Sequence, residues 1–171
     1  MKRIKDTILI ISFLLSSFIS YSQFISAEIG INGLTCSACS RSVELSLRKL
    51  DFVQDVQMNL ENTIGTITFK SGAEIDIEKV AKAVINAGFS VRYLNATFKF
   101  IGITKVTEND CYESGGYYYQ FVKINPTDLK DQLVFKFIGK EFMEGKEFKK
   151  WKDDLKSSEC NGVKNLYYVT L

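Results

Sequence analysis

Residues 33–40 read GLTCSACS, and this stretch connects the first strand pattern of the chain to its first helix pattern. Before it, Glu28–Asn32 (EIGIN) alternates apolar and polar side chains, which predicts a half-buried strand. After it, apolar side chains recur with the spacing of an amphipathic helix, at Val43, Leu47 and Leu50. We therefore expect a helix that starts near Cys39 and places it in the first turn, with Cys36 just before that turn.

The residues that follow predict a hairpin, a helix and a strand. Apolar residues alternate on both sides of a turn at Glu61–Asn62, as in a hairpin. Asp76 can cap a second helix, Gly88 can end it, and a fourth strand begins at Phe89. The apolar face of that helix comprises Ile77, Val80, Ala81, Val84 and Ile85. The order βαββαβ predicts an α+β fold, a ferredoxin-like sandwich with two helices on one face of an antiparallel sheet.

The predicted position of the two cysteines favours ionised thiols. Unpaired N–H groups and the positive end of the helix dipole face the start of a helix, and both favour a thiolate. Two soft thiolates on a short loop suit Cu(I), Hg(II) or another soft ion. Because the chain has no histidine, we expect Cys36 and Cys39 to hold an exposed ion with two ligands. A partner's cysteines could attack such an ion.

The GLTCSAC loop, the βαββαβ order and the sequence AGF some fifty residues downstream resemble the heavy-metal-associated domain family. That family includes copper chaperones, N-terminal modules of metal-pumping ATPases and a periplasmic mercury scavenger. The resemblance covers about residues 26–94, and it implies that Cys36 and Cys39 are the metal ligands. It also implies that Phe89 shields the site and lies under the loop at 33–36, which we call the metal loop. Leu34 replaces the family's usual methionine as the loop anchor, a volume-conserving change that should preserve metal binding.

Other interpretations of the CxxC pair remain open. In an exported protein the pair could rest as a disulfide without metal function, and so short a loop would add little stability. A thiol-disulfide oxidoreductase could use the same pair, although the aromatic residue that precedes a thioredoxin-like CxxC is missing and the single proline, Pro126, lies in the other half. A structural zinc site normally has four ligands. It would require the convergence of Cys36, Cys39, Cys111 and Cys160.

Residues 1–22 are expected to be a signal peptide. Positive charges come first, at Lys2, Arg3 and Lys5. An apolar segment, Thr7–Ile19, leads to small residues at Ser20 and Ser22 that suit cleavage. The apolar segment is shorter than the roughly 20 residues of a membrane span, although a retained anchor is the alternative. We expect an exported, periplasmic protein with no membrane span after leader cleavage.

Leader cleavage would leave a chain near neutrality. It would remove three of the 22 basic residues and one of the 20 acidic residues, so that equal numbers remain. This balance gives no electrostatic reason to expect nucleic acid or an acidic membrane as a partner. The expected partners are metal-donor or metal-acceptor proteins with exposed cysteines, and we do not expect the protein to be an enzyme.

The composition changes near residue 96, which predicts two domains, at 23–96 and 97–171. The first contains every arginine that follows the leader, whereas the second contains twelve lysines, no arginine and six of the eight tyrosines. The second is expected to be a small α+β unit, mostly β. We predict strands at 98–103, 117–124, 133–142 and 166–171, a polar loop over 108–116, a turn at 125–128 and a helix over 146–157.

Cys111 and Cys160 are each expected in a loop of the second half. In an exported protein two such cysteines are expected to form a disulfide, and closing a loop of 49 residues would add about 4 kcal/mol of stability on the chain-entropy model. Alternatively, the pair could accept metal or electrons from Cys36 and Cys39. Residues 97–171 resemble no family known to us. A third functional hypothesis is therefore a partner-binding protein whose metal domain is a relic.

Overall fold

The computed structural model describes residues 24–100, 104–129, 132–155, 160 and 162–171. The predicted signal peptide lies outside these ranges. Within them, no helix combines the length and the apolar character that a membrane crossing requires.

The first half forms the predicted order of strands and helices, and the ferredoxin-like sandwich is confirmed. Its strands pair antiparallel in the order β2-β3-β1-β4. Its elements are β1 (Phe24–Asn32), α1 (Ser37–Arg48), β2 (Val53–Asn59), β3 (Ile64–Phe69), α2 (Ile77–Asn86) and β4 (Ser90–Lys99).

The helix boundaries follow from their caps. Helix α1 begins two residues before Cys39, earlier than predicted, because Cys36 serves as its N-cap. At α2, Asp76 is the predicted cap, and its carboxylate accepts a hydrogen bond from the backbone N–H of Lys79 at 3.2 Å. Ile85 is 43% exposed, so its assignment to the apolar face of α2 was wrong. Gly88 follows α2 with a φ of +92°, the left-handed conformation that glycine tolerates at a helix end.

The second half is mostly strands, as predicted, with one helix among its described residues. Its elements are β5 (Thr104–Val106), β6 (Cys111–Ser114), β7 (Tyr117–Phe121), β8 (Thr127–Leu129), β9 (Gln132–Ile138), α3 (Gly145–Trp151) and β10 (Leu166–Thr170).

Eight of the ten described strands join in one sheet, in the order β2-β3-β1-β4-β9-β10-β7-β6, and β5 and β8 form a separate two-stranded sheet. The joint is the antiparallel pair β4–β9, in which Asn95 opposes Lys136 and Lys99 opposes Gln132. The domain boundary expected between residues 96 and 97 falls inside β4. The backbone hydrogen bonds of the sheet therefore continue from one half to the other.

An aromatic core spans the same joint. The Phe98 ring of β4 is fully buried, and its centroid lies 4.9 Å from that of Phe24 in β1 and 5.1 Å from that of Phe135 in β9. A smaller cluster packs α3 against the sheet through Val122, Ile138, Met143, Phe148, Trp151, Leu155 and Tyr168. Most buried apolar side chains of the second half thus share one core with those of the first, and the smaller cluster lies apart from it.

Several predictions for the second half were wrong in detail. The polar stretch 108–116 contains strand β6 rather than a loop, because Gly115 and Gly116 both adopt positive φ and close a two-residue hairpin. Cys111 is therefore the first residue of a strand and opposes Gln120. The strand predicted from residue 98 is the end of β4, while 101–103 lie outside the described residues. The predicted turn at 125–128 runs into β8, which pairs with β5.

Candidate metal site

The loop between β1 and α1 carries both cysteines of the CxxC motif and turns at a glycine. Gly33 has a φ of +81°, in the left-handed region that favours glycine, and the N–H of Thr35 donates to its carbonyl at 3.0 Å. Leu34 is 2% exposed and belongs to the hydrophobic core. Its burial between two exposed neighbours is consistent with the anchoring role that the family resemblance implied.

Cys36 occupies the N-cap position of α1 in an extended conformation. Its Sγ accepts a hydrogen bond from the backbone N–H of Cys39 at 3.1 Å, and its carbonyl accepts from the N–H of Ser40 at 3.0 Å. The first turn of α1 contains no acidic residue. The helix terminus thus presents an N–H group and partial positive charge to the Cys36 sulfur, and both favour its thiolate form when the pair is reduced.

The two sulfurs differ in exposure and are bonded to each other in this structure. Cys36 is exposed, whereas Cys39 is half-buried and packs against the core. Their Cα atoms lie 5.1 Å apart across the disulfide. Metal capture by this pair therefore requires its prior reduction by two electrons, after which Cys36 offers the more accessible thiol.

The sulfur pair has few other candidate ligands around it. Among the described residues, no group of three or more cysteine, aspartate and glutamate side chains is arranged to hold a metal ion. A site limited to two thiolates suits a soft ion that accepts low coordination and does not suit zinc, which normally takes four ligands. Two thiolates are thus a donor set of the kind that soft ions such as Cu(I) or Hg(II) accept.

Phe89 lies beside the base of the metal loop. It is half-buried, packs against the core, and its N–H donates to the carbonyl of Val84 at 3.2 Å. The ring comes within 3.9 Å of the position that a Cβ atom on Gly33 would occupy. This placement is compatible with the shielding role that the resemblance implied for Phe89, and that role stays a prediction.

The second half reaches the same end of the sheet, which the sequence did not predict. The side chain of Asn32, the last residue of β1, donates to the Glu144 carboxylate at 2.7 Å. A groove of about 570 Å³ next to Phe89 is lined by residues 85 and 89–91 on one side and by 140, 141 and 143–146 on the other. No local pattern could reveal a contact between residues 112 positions apart, because strand pairing across the joint creates it.

An ion-pair network stabilises α1 beyond the metal loop. The Arg48 guanidinium contacts Glu44 at 2.7 Å and Asp55 at 2.9 Å, and Arg41 contacts Glu44 at 3.0 Å. Hydrogen bonds from Arg48, and then from Arg41, lower the pKa of Glu44. Arg48 likewise lowers the pKa of Asp55. Both carboxylates are therefore held ionised in the folded protein.

Cys111 and Cys160 form a disulfide in the structure, the pairing expected from the sequence. Cys160 is 3% exposed, and Cys111 begins β6, five positions away from β1 in the order of the sheet. The four cysteines do not converge, so the alternative of a four-cysteine zinc site is contradicted.

Comparison with known proteins finds similarity in the first half of the chain. Residues 28–90 match the family model described as the heavy-metal-associated domain. The chain is 40% identical over 70 residues to Copper-transporting ATPase 1 of Rhizobium meliloti (strain 1021), and 35% identical over 60 residues to a copper-transporting ATPase of Helicobacter pylori. These stretches make up 41% and 35% of this chain. The chain spans about 8% of the length of each of these relatives.

Solved structures give matches of the same extent. Oxidized MerP from Ralstonia metallidurans CH34 is 30% identical, with a TM-score of 0.36, and the match covers 40% of this chain and 96% of that one. The CopZ metallochaperone is 23% identical, with a TM-score of 0.37, and the match covers 39% of this chain and 97% of that one. Each of these matches covers less than half of this chain.

Proposed function

Since residues 28–90 form a heavy-metal-associated domain, we propose that the protein captures one soft metal ion and passes it to another protein. Cys36 and Cys39, once reduced, are the two ligands. Cu(I) is the first candidate for the cargo and Hg(II) the second. The observation that carries the proposal is the pair of sulfurs at the start of α1, where Cys36 is exposed and its Sγ accepts a hydrogen bond from the helix N–H of Cys39.

Capture and transfer follow from thiol chemistry. Binding Cu(I) to the reduced pair displaces two protons, one from each thiol, and leaves a complex with two metal–sulfur bonds. In transfer, a thiolate of the partner forms a bond to the ion while the bond to Cys36 breaks, and a second partner thiolate then replaces Cys39. The oxidation states of the metal and the sulfurs do not change. Cys36 is the ligand expected to leave first, because it is exposed and Cys39 is half-buried.

We further propose that this transfer takes place outside the cytoplasm and involves no catalysis of a chemical reaction. The support for export is the basic and apolar pattern of residues 1–22 in the sequence. An oxidising compartment favours the disulfide seen between Cys36 and Cys39. The proposal therefore includes a partner dithiol that reduces the pair, or bound metal that protects it from oxidation.

A Cu(I) competition experiment tests the proposed capture. Reduced protein is titrated against a chromogenic Cu(I) chelator under anaerobic conditions. We expect the wild type to withdraw about one equivalent of copper, and the variant Cys36→Ser/Cys39→Ser to withdraw none. The matched control is Cys111→Ser/Cys160→Ser, which removes the same number of sulfurs and should compete like the wild type. Equal competition by the wild type and the Cys36/Cys39 variant would exclude the proposed ligands.

The disulfide between Cys36 and Cys39 also supports a second candidate, a thiol-disulfide oxidoreductase. In that case the exposed Cys36 would attack a substrate disulfide and Cys39 would resolve the mixed disulfide, with two electrons passing to the substrate. An insulin-reduction assay without metal distinguishes the two candidates. Turnover that depends on both cysteines would favour the oxidoreductase, and its absence would favour metal transfer.

A further inference from the structure

We propose that Glu144 is a positioning residue for the metal loop, although it belongs to the second half of the chain. Its Oε1 accepts a hydrogen bond from Nδ2 of Asn32 at 2.7 Å. Asn32 is the last residue of β1 and directly precedes the loop at 33–36. The inference rests on the proposed metal capture, and it gives the second half a part in setting the geometry of the CxxC loop. Glu144 lies outside the residues that the family model matches.

The backbone of Glu144 is held from several directions. The two preceding residues, Phe142 and Met143, are 4% and 2% exposed and pack into the two hydrophobic clusters. The N–H of Glu144 donates to the carbonyl of Arg92 in β4 at 3.3 Å, and its own carbonyl accepts from the N–H of Phe148 in α3 at 2.8 Å. The carboxylate therefore reaches Asn32 from a fixed support and not from a free loop.

A fixed Asn32 matters because the loop has to adopt two shapes. The sulfurs of a disulfide are about 2.05 Å apart. Two sulfurs on opposite sides of one ion are separated by roughly 4.6 Å, twice a metal–sulfur bond of ~2.3 Å. The change must take place between β1 and α1, so the anchors at Asn32 and Leu34 limit how many conformations the loop can sample.

Restricting the conformations of the loop favours both the metal-bound form and the disulfide form of the Cys36–Cys39 pair. Fewer accessible conformations mean that less chain entropy is lost when Cys36 and Cys39 close a ring, whether through a metal ion or through a disulfide. Loss of the Asn32–Glu144 hydrogen bond should therefore weaken metal binding and disulfide formation together. A loss of about two- to tenfold in each equilibrium constant is expected for one hydrogen bond of this kind.

The Glu144 carboxylate could instead act through its charge, and this would change metal affinity in the opposite direction. A negative charge near two thiolates disfavours them, so its removal would strengthen metal binding. Glu144→Gln keeps an oxygen acceptor for Asn32 and removes the charge, whereas Glu144→Ala removes both. The pair of variants therefore separates the hydrogen bond from the electrostatic effect.

The experiment measures two quantities on the full-length protein. One is Cu(I) affinity by chelator competition, and the other is the metal-free dithiol–disulfide equilibrium of Cys36 and Cys39 in a glutathione buffer. We expect Glu144→Ala to lower both constants two- to tenfold and Glu144→Gln to stay within about twofold of the wild type. The control Glu147→Ala removes a glutamate that pairs with Lys150 and should change neither constant.

The reciprocal variant completes the test. Asn32→Ala should reproduce the effect of Glu144→Ala, and the double variant should add nothing, because both remove one shared hydrogen bond. Unchanged constants in Glu144→Ala, or equal shifts in the Gln and Ala variants, would overturn the positioning role. If the wild type binds no Cu(I), the proposed function fails, yet the metal-free disulfide equilibrium still tests Glu144.

Discussion

The two halves of the chain each contain one cysteine pair, and the two pairs differ in loop length, exposure and place in the sheet. Cys36 and Cys39 are 3 residues apart at the tip of a helix, and Cys36 is exposed. Cys111 and Cys160 are 49 residues apart, and Cys160 is 3% exposed. On the chain-entropy model the longer loop contributes about 4 kcal/mol to stability, and the shorter one about 1.6 kcal/mol.

This difference separates a pair that can open from a pair that holds the fold. Breaking the Cys36–Cys39 bond affects a short exposed loop, whose base is anchored by Leu34. Breaking the Cys111–Cys160 bond removes the covalent link between the edge strand β6 and the buried Cys160, and leaves β6 held by its pairing with β7. The same bond type thus suits exchange chemistry in one half and stabilisation in the other.

The largest expected effect tests whether the two halves are separate units at all. Phe98→Ala should lower the free energy of unfolding by about 5 kcal/mol, the upper end for a buried phenylalanine. The reason is that the Phe98 ring contacts aromatic rings from both halves of the chain. Urea unfolding should show one transition, with coincident curves from circular dichroism and from the fluorescence of Trp151, the single tryptophan.

Phe148→Ala is the matched control, because Phe148 is half-buried and packs in the smaller cluster under α3. Phe148→Ala should lower the free energy of unfolding by clearly less than Phe98→Ala does. Two separate transitions in the wild type, with Phe98→Ala affecting one of them, would mean that the halves unfold independently despite their shared sheet.

The next largest expected effect is a difference in stability between variants that lack one cysteine pair or the other. Cys111→Ala/Cys160→Ala should lower the free energy of unfolding of the oxidised protein by about 4 kcal/mol, because the unfolded chain loses its longer cross-link. Cys36→Ala/Cys39→Ala should lower it by less than about 2 kcal/mol. Urea unfolding without reductant gives both values. Similar losses in the two variants would contradict the assignment of one pair to stability and the other to exchange.

The smallest effect concerns the charges around α1. Glu44 and Asp55 have lowered pKa values because of Arg48. They therefore bind protons less readily in the folded than in the unfolded protein. Their contribution to stability is present above about pH 4.5, and it is lost as the pH falls through their lowered folded values. Arg48→Ala should therefore be less stable than the wild type at pH 7, with a smaller difference at pH 3.

Urea unfolding of the wild type and of Arg48→Ala at pH 7 and at pH 3 measures how their difference in stability depends on pH. Arg48 also donates to the carbonyl of Val56 at 2.6 Å, and the loss of that bond should not depend on pH. Lys150→Ala provides a comparison in the second half, where the hydrogen bond from Lys150 is the largest cause of the lowered pKa of Glu147. A difference between Arg48→Ala and wild type that stays constant from pH 7 to pH 3 would contradict the carboxylate contribution.

The first half could be predicted from the sequence because its signals are local. Apolar spacing identified both helices, Asp76 identified a cap, and GLTCSAC placed Cys36 and Cys39 at a helix start. In the second half the prediction missed β6, because the strand is polar and depends on a tight turn at Gly115–Gly116. The exposure of Ile85 was not predicted either. Helical spacing identifies an apolar face, but it does not show how much of that face the neighbouring elements cover.

The sequence by itself determined the CxxC pair, its spacing and the helix terminus that presents it, since each of these depends on residues close together in the chain. The tertiary structure decided what surrounds the metal loop. Pairing of β9 with β4 carries Glu144 to Asn32 across 112 positions and joins the aromatic residues of both halves in one core. Contacts of that range arise from the register of paired strands, which no short stretch of sequence encodes.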